Sequence, residues 1–338
     1  MRSLFHPRLI NGPFEDPCLF IPFVFEKRAA IFDLGDIYSL SAKDLLKISH
    51  VFISHTHMDH FVGFDRLLRV FLGREKRLYM YGPEGFLKNV EGKLAGYSWN
   101  LVENFDNALS VYITEVKKDQ LITRHYACEN KFKASGKDLI QPFNGILFKE
   151  PALTFSSIIL DHKIPCLGFT IKERFHINII KERLMEVGLE IGPWIRSFKE
   201  ALFNNQDINS KFEVTFKREN IKNKEFALGE LANQIAIITP GHKITYITDM
   251  LYCESNINEA VAFAKDADHL FIEAAFLEKD RDIAENKFHL TAWQAGTIAG
   301  MAMAKQFTVF HFSPRYSGQE ELFRREALDA YKKRLLKN

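Results

Sequence analysis

At 338 residues and 46% apolar content, the chain can bury a substantial core as one large α/β domain or a domain with an insertion. Its 45 Lys and Arg stand against 43 Asp and Glu, a formal charge of +2 that excludes general coating of polyanions. No run of about eighteen apolar residues appears and the start, Met1 to Pro7, lacks a secretory apolar segment, so a cytoplasmic protein with no membrane partner is expected.

In chain order, Leu19 to Phe25 and Ala29 to Phe32 read as paired strands around Glu26-Lys27-Arg28, and Val51 to Ile53 as a short strand. Phe61 to Leu72 carries Phe61, Phe64, Leu67, Leu68 and Phe71 at helical spacing, and Leu78 to Tyr81 reads as a strand closed by a Gly82-Pro83 turn. Strands alternating with helices that end at Gly or Pro predict a layered α/β architecture. Residues 172–228 break this rhythm with Gly192-Pro193-Trp194, an Asn204-Asn205-Gln206-Asp207 middle, and eleven Lys or Arg against nine Asp or Glu. This stretch reads as an exposed inserted arm, with a solvated helical hairpin as the plainer alternative. The cysteines Cys18, Cys128, Cys166 and Cys253 are scattered without Cys-x-x-Cys spacing, which argues against a zinc knuckle or a disulfide framework.

The strand at Val51 to Ile53 runs into Ser54-His55-Thr56-His57-Met58-Asp59-His60. Imidazoles and a carboxylate are the ligand types that hold Zn²⁺, and a tight turn converges several of them on one volume. His55 and His57, two apart, point together toward one metal, while Asp59 and His60 on the next bend reach a second. A polar loop of surface histidines is the bland alternative, and the density of donors argues against it. Further ligands must come from downstream, where His162, Asp249 and His311 each follow an apolar, strand-like run. Taken singly each could be a capping or core-edge group; together they suggest a dinuclear site. His6, His50, His125, His176, His242 and His269 have no partner at ligand spacing and are left outside it.

Four segments resemble the metallo-β-lactamase superfamily and, within it, the ribonuclease Z (tRNase Z) family. They are Ile31 to Asp36, the His55 to His60 cluster, His162 to Phe169 followed by Gly192-Pro193, and Ile272 to Tyr316. Most specific are Glu273-Ala274-Ala275-Phe276, His289-Leu290-Thr291-Ala292 with Gln294-Ala295, and His311-Phe312-Ser313-Pro314-Arg315-Tyr316. The resemblance implies an αβ/βα sandwich of two mixed sheets flanked by helices, with two divalent metal ions, expected to be Zn²⁺, along one edge. It implies that His55, His57 and His162 hold one ion, Asp59, His60 and His311 the other, and that Asp249 bridges them. Asp59 would orient or deprotonate the attacking water, and Glu273 would hold His289 as the acid that protonates the leaving oxygen. Asp33 would accept hydrogen bonds from the metal loop without touching metal. Ser313 and Arg315 could meet a substrate phosphate.

The implied activity is that of a zinc-dependent phosphodiesterase, a ribonuclease Z-like endonuclease that hydrolyses precursor tRNA next to the 3′ end of its mature part, with residues 172–228 as an arm on the RNA. A homodimer is an open expectation. The chain departs from the family pattern in two places. Its opening, Phe5 to Pro13, lacks the glycine-rich turn and the Pro-x-Lys-x-Arg-Asn loop, and Thr248-Asp249-Met250 stands where Gly-Asp-Thr is usual. Hydrolysis of a cyclic nucleotide or other small phosphodiester, of a lactone or thioester, or an RNA-binding relative with a structural metal site are the alternatives.

Overall fold

The computed structural model describes residues 4–24, 26–102, 109–218 and 220–336. They fall into two compact units, one formed by Met1–Leu147, Phe155–Ile171 and Lys243–Asn338, the other by Phe148–Thr154 and Lys172–His242.

The first unit contains an eight-stranded mixed sheet in sequential order: β1 (Arg8–Leu9), β2 (Leu19–Pro22), β3 (Ala29–Phe32), β4 (Ile48–Phe52), β5 (Lys76–Pro83), β6 (Leu109–Val116), β7 (Gln120–Ala127) and β8 (Ala134–Pro142). β3 to β6 run parallel and the outer pairs antiparallel. A second sheet holds β9 (Ile146–Lys149), β10 (Leu153–Asp161), β11 (Pro165–Glu173), β16 (Lys243–Ile247), β17 (His269–Glu273) and β18 (Phe307–Phe310).

Alternation along each strand decides what lies between the layers. Ile31, Val51 and Met80 turn outward to the helices Phe64–Phe71 and Phe86–Ala95, where they share one core with Leu67, Phe71 and Val90. Their neighbours Phe32 and Phe52 turn the other way, onto Phe155, Phe169 and Tyr246 of the second sheet, with ring centroids 5.3 to 5.6 Å apart. The outer face of the second sheet is covered by the helices Glu254–Ala264, Ala292–Met301 and Glu320–Leu335, which bury Ile247, Leu270 and Ile272. The expected sandwich of two mixed sheets between helices is therefore observed.

Several local expectations need correction. The first hairpin strand stops at Pro22; Phe23 makes an isolated pairing with Phe5 and donates to the Arg28 carbonyl at 3.1 Å as the chain turns, and Phe25 lies outside the described residues. The strand before the metal loop begins at Ile48 and ends at Phe52. The expected helix from Phe61 to Leu72 is two helices, Met58–Phe61 and Phe64–Phe71, broken at Gly63. That glycine donates to the Leu34 carbonyl at 2.8 Å, and a Cβ there would lie 2.4 Å from the Gly35 carbonyl oxygen, so the break lets the helix pair dock on the Asp33-Leu34-Gly35 turn. Gly82 and Pro83 are still strand, because β6 pairs with β5 along its whole length.

The second unit has its own buried core. Helices Lys181–Glu186, Trp194–Phe203 and Leu228–Ile235 pack Leu184, Leu189, Trp194, Phe198, Leu231 and Ile235 together. Two antiparallel strand pairs complete it, the distant β12 (Phe175–Ile179) with β15 (Ala236–Pro240), and the hairpin of β13 (Lys211–Arg218) with β14 (Asn220–Ala227). It is a small α/β unit rather than a helical hairpin. No helix among the described residues is long and apolar enough to cross a membrane.

Candidate metal centre

Each candidate ligand follows the carboxyl end of a strand. The His55 to His60 loop leaves β4, His162 leaves β10, Asp249 follows β16, Glu273 ends β17 and His311 follows β18. Strand ends are where an open sheet leaves room for a site. Four loop residues there, Asp33, Lys163, Phe288 and His311, have left-handed backbones with φ between 57 and 63°. Each costs on the order of 1–3 kcal/mol, strain of the kind that a packed surround must hold in place.

The donors converge into three groups: His55, His57, His162 and Asp249; Asp59, His60 and His311; and Asp249, Glu273, His289 and His311. Asp249 is common to two of them. Its Oδ2 lies 3.4 Å from His60 Nε2, 3.6 Å from His55 Nε2, 3.7 Å from His162 Nε2 and 3.9 Å from His289 Nδ1. Its Oδ1 pairs with His311 Nδ1 at 2.8 Å, while His311 Nε2 meets Asp59 Oδ2 at 3.2 Å.

The opposite ring nitrogens are already occupied, which aims the free ones inward. His162 Nδ1 donates to the Phe288 carbonyl at 2.8 Å, and His60 Nδ1 to Asp33 Oδ2 at 2.9 Å. Asp33 also accepts from the Ser54 amide and hydroxyl and from Tyr246 Oη, and so supports the loop without joining the donor groups. His55 Nδ1 faces Ser54 Oγ at 3.1 Å and Cys166 Sγ at 3.7 Å.

The arrangement suits cations. His60 Nε2 is buried without a hydrogen-bond partner, facing Asp59 and Asp249 at 3.4 Å each. An unpaired buried polar atom is costly, and a cation in that space satisfies all three groups. Burial, followed by the neighbouring His60 charge, lowers the His55 pKa to about 2, so its ring is neutral, the form that binds metal. Burial opposes ionisation of Asp249 too, but His311 and His60 outweigh it and hold the carboxyl well below its usual range.

Glu273 is fully buried and braces three chain segments. Oε1 accepts from the Met250 and Leu290 amides at 3.0 and 3.3 Å, and Oε2 from His289 Nδ1 at 3.0 Å. Burial disfavours charge on His289, yet the Glu273 and Asp249 carboxylates prevail and raise its pKa. Its ring lines a cavity of about 230 Å³ with Asp59, His311, Ser313, Lys287, Phe14 and Asp16. That cavity can admit a small group beside the donors.

Every expected ligand thus reaches one volume, with Glu273 and His289 at its rim. Ser313 lines the cavity; Arg315 does not, its guanidinium resting 5.6 Å over the Tyr316 ring. Of the histidines set aside, His176 pairs with Glu173 at 3.1 Å and His269 with Thr308 at 2.8 Å, and neither is in a donor group. Sequence reasoning missed Lys287 and the Phe14 to Asp16 rim, and missed Tyr246 as the brace of Asp33. Ser54, inside the quoted cluster, was a visible signal for the brace; nothing local marks the others.

The fold is the metallo-β-lactamase fold, and its donor groups suit divalent metal. No protein-family model matches the chain. It is 26% identical over 279 residues, 82% of its length, to Ribonuclease Z of Deinococcus radiodurans, 80% of which is covered. Its structure is similar to the metallo-β-lactamase fold protein YhfI from Bacillus subtilis, with a TM-score of 0.53 at 15% identity over 97% of this chain and 94% of that one. It is also similar to the short form of human tRNase Z, at 0.52 and 17% over 92% of each. In sequence and in fold the chain is similar to ribonuclease Z proteins.

Proposed function

We propose that this protein is a zinc-dependent phosphodiesterase of the ribonuclease Z kind, which cuts precursor tRNA beside the 3′ end of its mature part in the cytoplasm. The observation that supports it most is the Glu273–His289 pair on the cavity shared with Asp59 and His311. A proton donor held by a buried carboxylate suits a poor alkoxide leaving group, such as a ribose oxygen, and has no evident task on a thioester, whose thiolate leaves unaided.

His55, His57 and His162 would hold one Zn²⁺, Asp59, His60 and His311 a second, and Asp249 both. Two such ions would supply activation of a water and charge stabilisation on the phosphoryl oxygens. Asp59 would orient the attacking water and accept its proton. His289, its Nδ1–H held by Glu273, gives a proton to the leaving oxygen from its other nitrogen. Ser313 donates to a phosphate oxygen, whereas Arg315 reaches one only by leaving Tyr316. On this reading the second unit binds RNA away from the metals, and self-association into a homodimer remains part of the expectation.

The test is elemental analysis together with cleavage of a precursor tRNA, with and without chelator. Two metal equivalents per chain and a chelator-sensitive cut at the mature 3′ end are expected. One or no equivalent after reconstitution with excess zinc removes the dinuclear assignment. Hydrolysis of an aryl phosphodiester with no cut in precursor tRNA replaces the RNA substrate with a small phosphodiester.

A further inference from the structure

The helix Phe86–Ala95 is two-faced. Phe86, Leu87, Val90 and Leu94 are buried in the core, while Lys88, Asn89 and Gly92 are exposed and Lys93 half-buried. Those four residues fall at i, i+1, i+4 and i+5 and share one side of the helix. That side adjoins the metal loop. Asn89 Nδ2 donates at 2.6 Å to Oγ1 of Thr56, the residue between His55 and His57. Thr56, Phe61, Lys88, Asn89, Gly92 and Lys93 line a shallow concavity of about 490 Å³. It shares no lining residue with the cavity beside His289. Met58, 80% exposed, stands on the same loop.

Two independent features say what this concavity fits. The first is Gly92. A glycine inside a helix costs about 1 kcal/mol against alanine, and packing among the described residues does not explain it, since a Cβ there would meet none of their atoms within 4 Å. A glycine without an internal reason leaves room for something from outside to approach the helix backbone.

The second is charge. The nearby acids are taken: Asp65 by Lys93 at 3.0 Å, and Glu91 by Arg124 at 2.9 Å and Tyr126 at 2.7 Å. Lys93 is also held 5.1 Å over the Phe61 ring, a fixed cation. Lys88 has no ion-pair partner among the described residues. The open charge is therefore positive.

We propose that this face, with Thr56 and Met58 beside it, is a track for the sugar-phosphate backbone of a single-stranded RNA segment flanking the scissile bond. The proposal rests on the phosphodiesterase reading above. Lys88 takes a phosphate, Gly92 admits the backbone beside it, and the Asn89 side-chain carbonyl accepts from a ribose hydroxyl. Met58 offers an apolar surface to a base. A protein partner would ask for a larger apolar patch than this face presents.

The test uses the zinc-loaded protein and the variants Lys88→Glu, Lys88→Ala and Gly92→Glu. The two Glu variants put an anion where a phosphate would lie, and both positions are exposed on a helix that favours Glu over Gly. Binding of a fluorescent single-stranded RNA oligonucleotide is followed by anisotropy over a salt series, and kcat/KM is measured on precursor tRNA and on an aryl phosphodiester. Each Glu variant is expected to lower the RNA-to-aryl ratio of kcat/KM about tenfold, mainly through KM. Lys88→Ala is expected to reduce the slope of log affinity against log salt by about 0.7, the loss of one phosphate contact on a single strand. If the wild type binds and cuts RNA and the variants match its ratio and slope, the track is overturned while the ribonuclease reading stands. If the wild type hydrolyses only the aryl diester, both fall together.

Discussion

Tyr246 donates its phenol to Asp33 at 2.8 Å, joining the second sheet to the turn that carries the metal loop on the first. Both residues are fully buried, and the same Asp33 oxygen orients His60. Tyr246→Phe keeps the ring in its aromatic layer and removes only the donor. It should lower unfolding free energy by about 1–2 kcal/mol, read from the urea midpoint. It should also weaken metal retention against a competing chelator, because the carboxylate that aims His60 loses a partner. Unchanged stability and metal affinity would mean that Ser54 and His60 suffice to hold Asp33.

Removal of the leaving-group acid separates substrates by how much they need one. His289→Ala should keep its full metal complement while turnover on RNA falls about 10² to 10⁴-fold. An activated aryl phosphodiester, whose leaving group departs without a proton, should lose far less. Equal losses on both would assign His289 to binding or to the metals.

A histidine far from the donors gives acid sensitivity to the fold itself. The His269 ring stacks on Phe271 with centroids 4.0 Å apart, and burial lowers its pKa to about 4. Because the unfolded chain has the ordinary value near 6.5, it binds more protons than the folded one between the two. The stability due to the neutral ring is present above pH 6.5 and is lost as pH falls toward 4. Urea midpoints at pH 7.5, 5.5 and 4.5 should therefore drop more for the wild type than for His269→Gln, and metal loss, common to both, cancels in the comparison. Parallel curves would remove His269 as the source.

The second unit begins and ends at one place. Glu173 N donates to the His242 carbonyl at 2.8 Å, and His242 N to Glu173 Oε2 at 3.2 Å. Residues 174–241 can therefore be exchanged for a short Gly-Ser linker without stretching the chain. If that unit binds RNA, the excised protein should cut precursor tRNA with a much higher KM and a weaker salt dependence, yet still hydrolyse the aryl diester. Equal loss on both substrates would place the unit's role in holding the site together.

The donors were legible because they are dense or sit at the ends of obvious apolar runs: His55 to His60 within one turn, and His162, Asp249 and His311 after strands. Glu273 and His289 needed the family resemblance, since a carboxylate and an imidazole sixteen residues apart carry no spacing signal of their own. The helix break at Gly63 was hidden because its cause is the Gly35 carbonyl, brought in from another turn. The mixed charge of residues 172–228 concealed a core, since Leu184, Trp194, Phe198 and Leu231 meet only after the helices form. Asn89 and Tyr246 were invisible for the same reason: their partners, Thr56 and Asp33, lie 33 and 213 positions away along the chain, and periodicity reports only near neighbours.

The four cysteines are free, so no covalent link ties this chain to itself. The donor cluster takes over that task. His60 and His311 lie in separate layers and 251 residues apart, and their rings stand 5.1 Å from each other around shared carboxylates. An ion held there closes a loop of most of the chain's length, and closure of so long a loop removes much of the freedom of the unfolded state. Loading with divalent metal should thus act as a rivet through both halves of the sandwich, and removal of that metal should speed proteolysis of the chain.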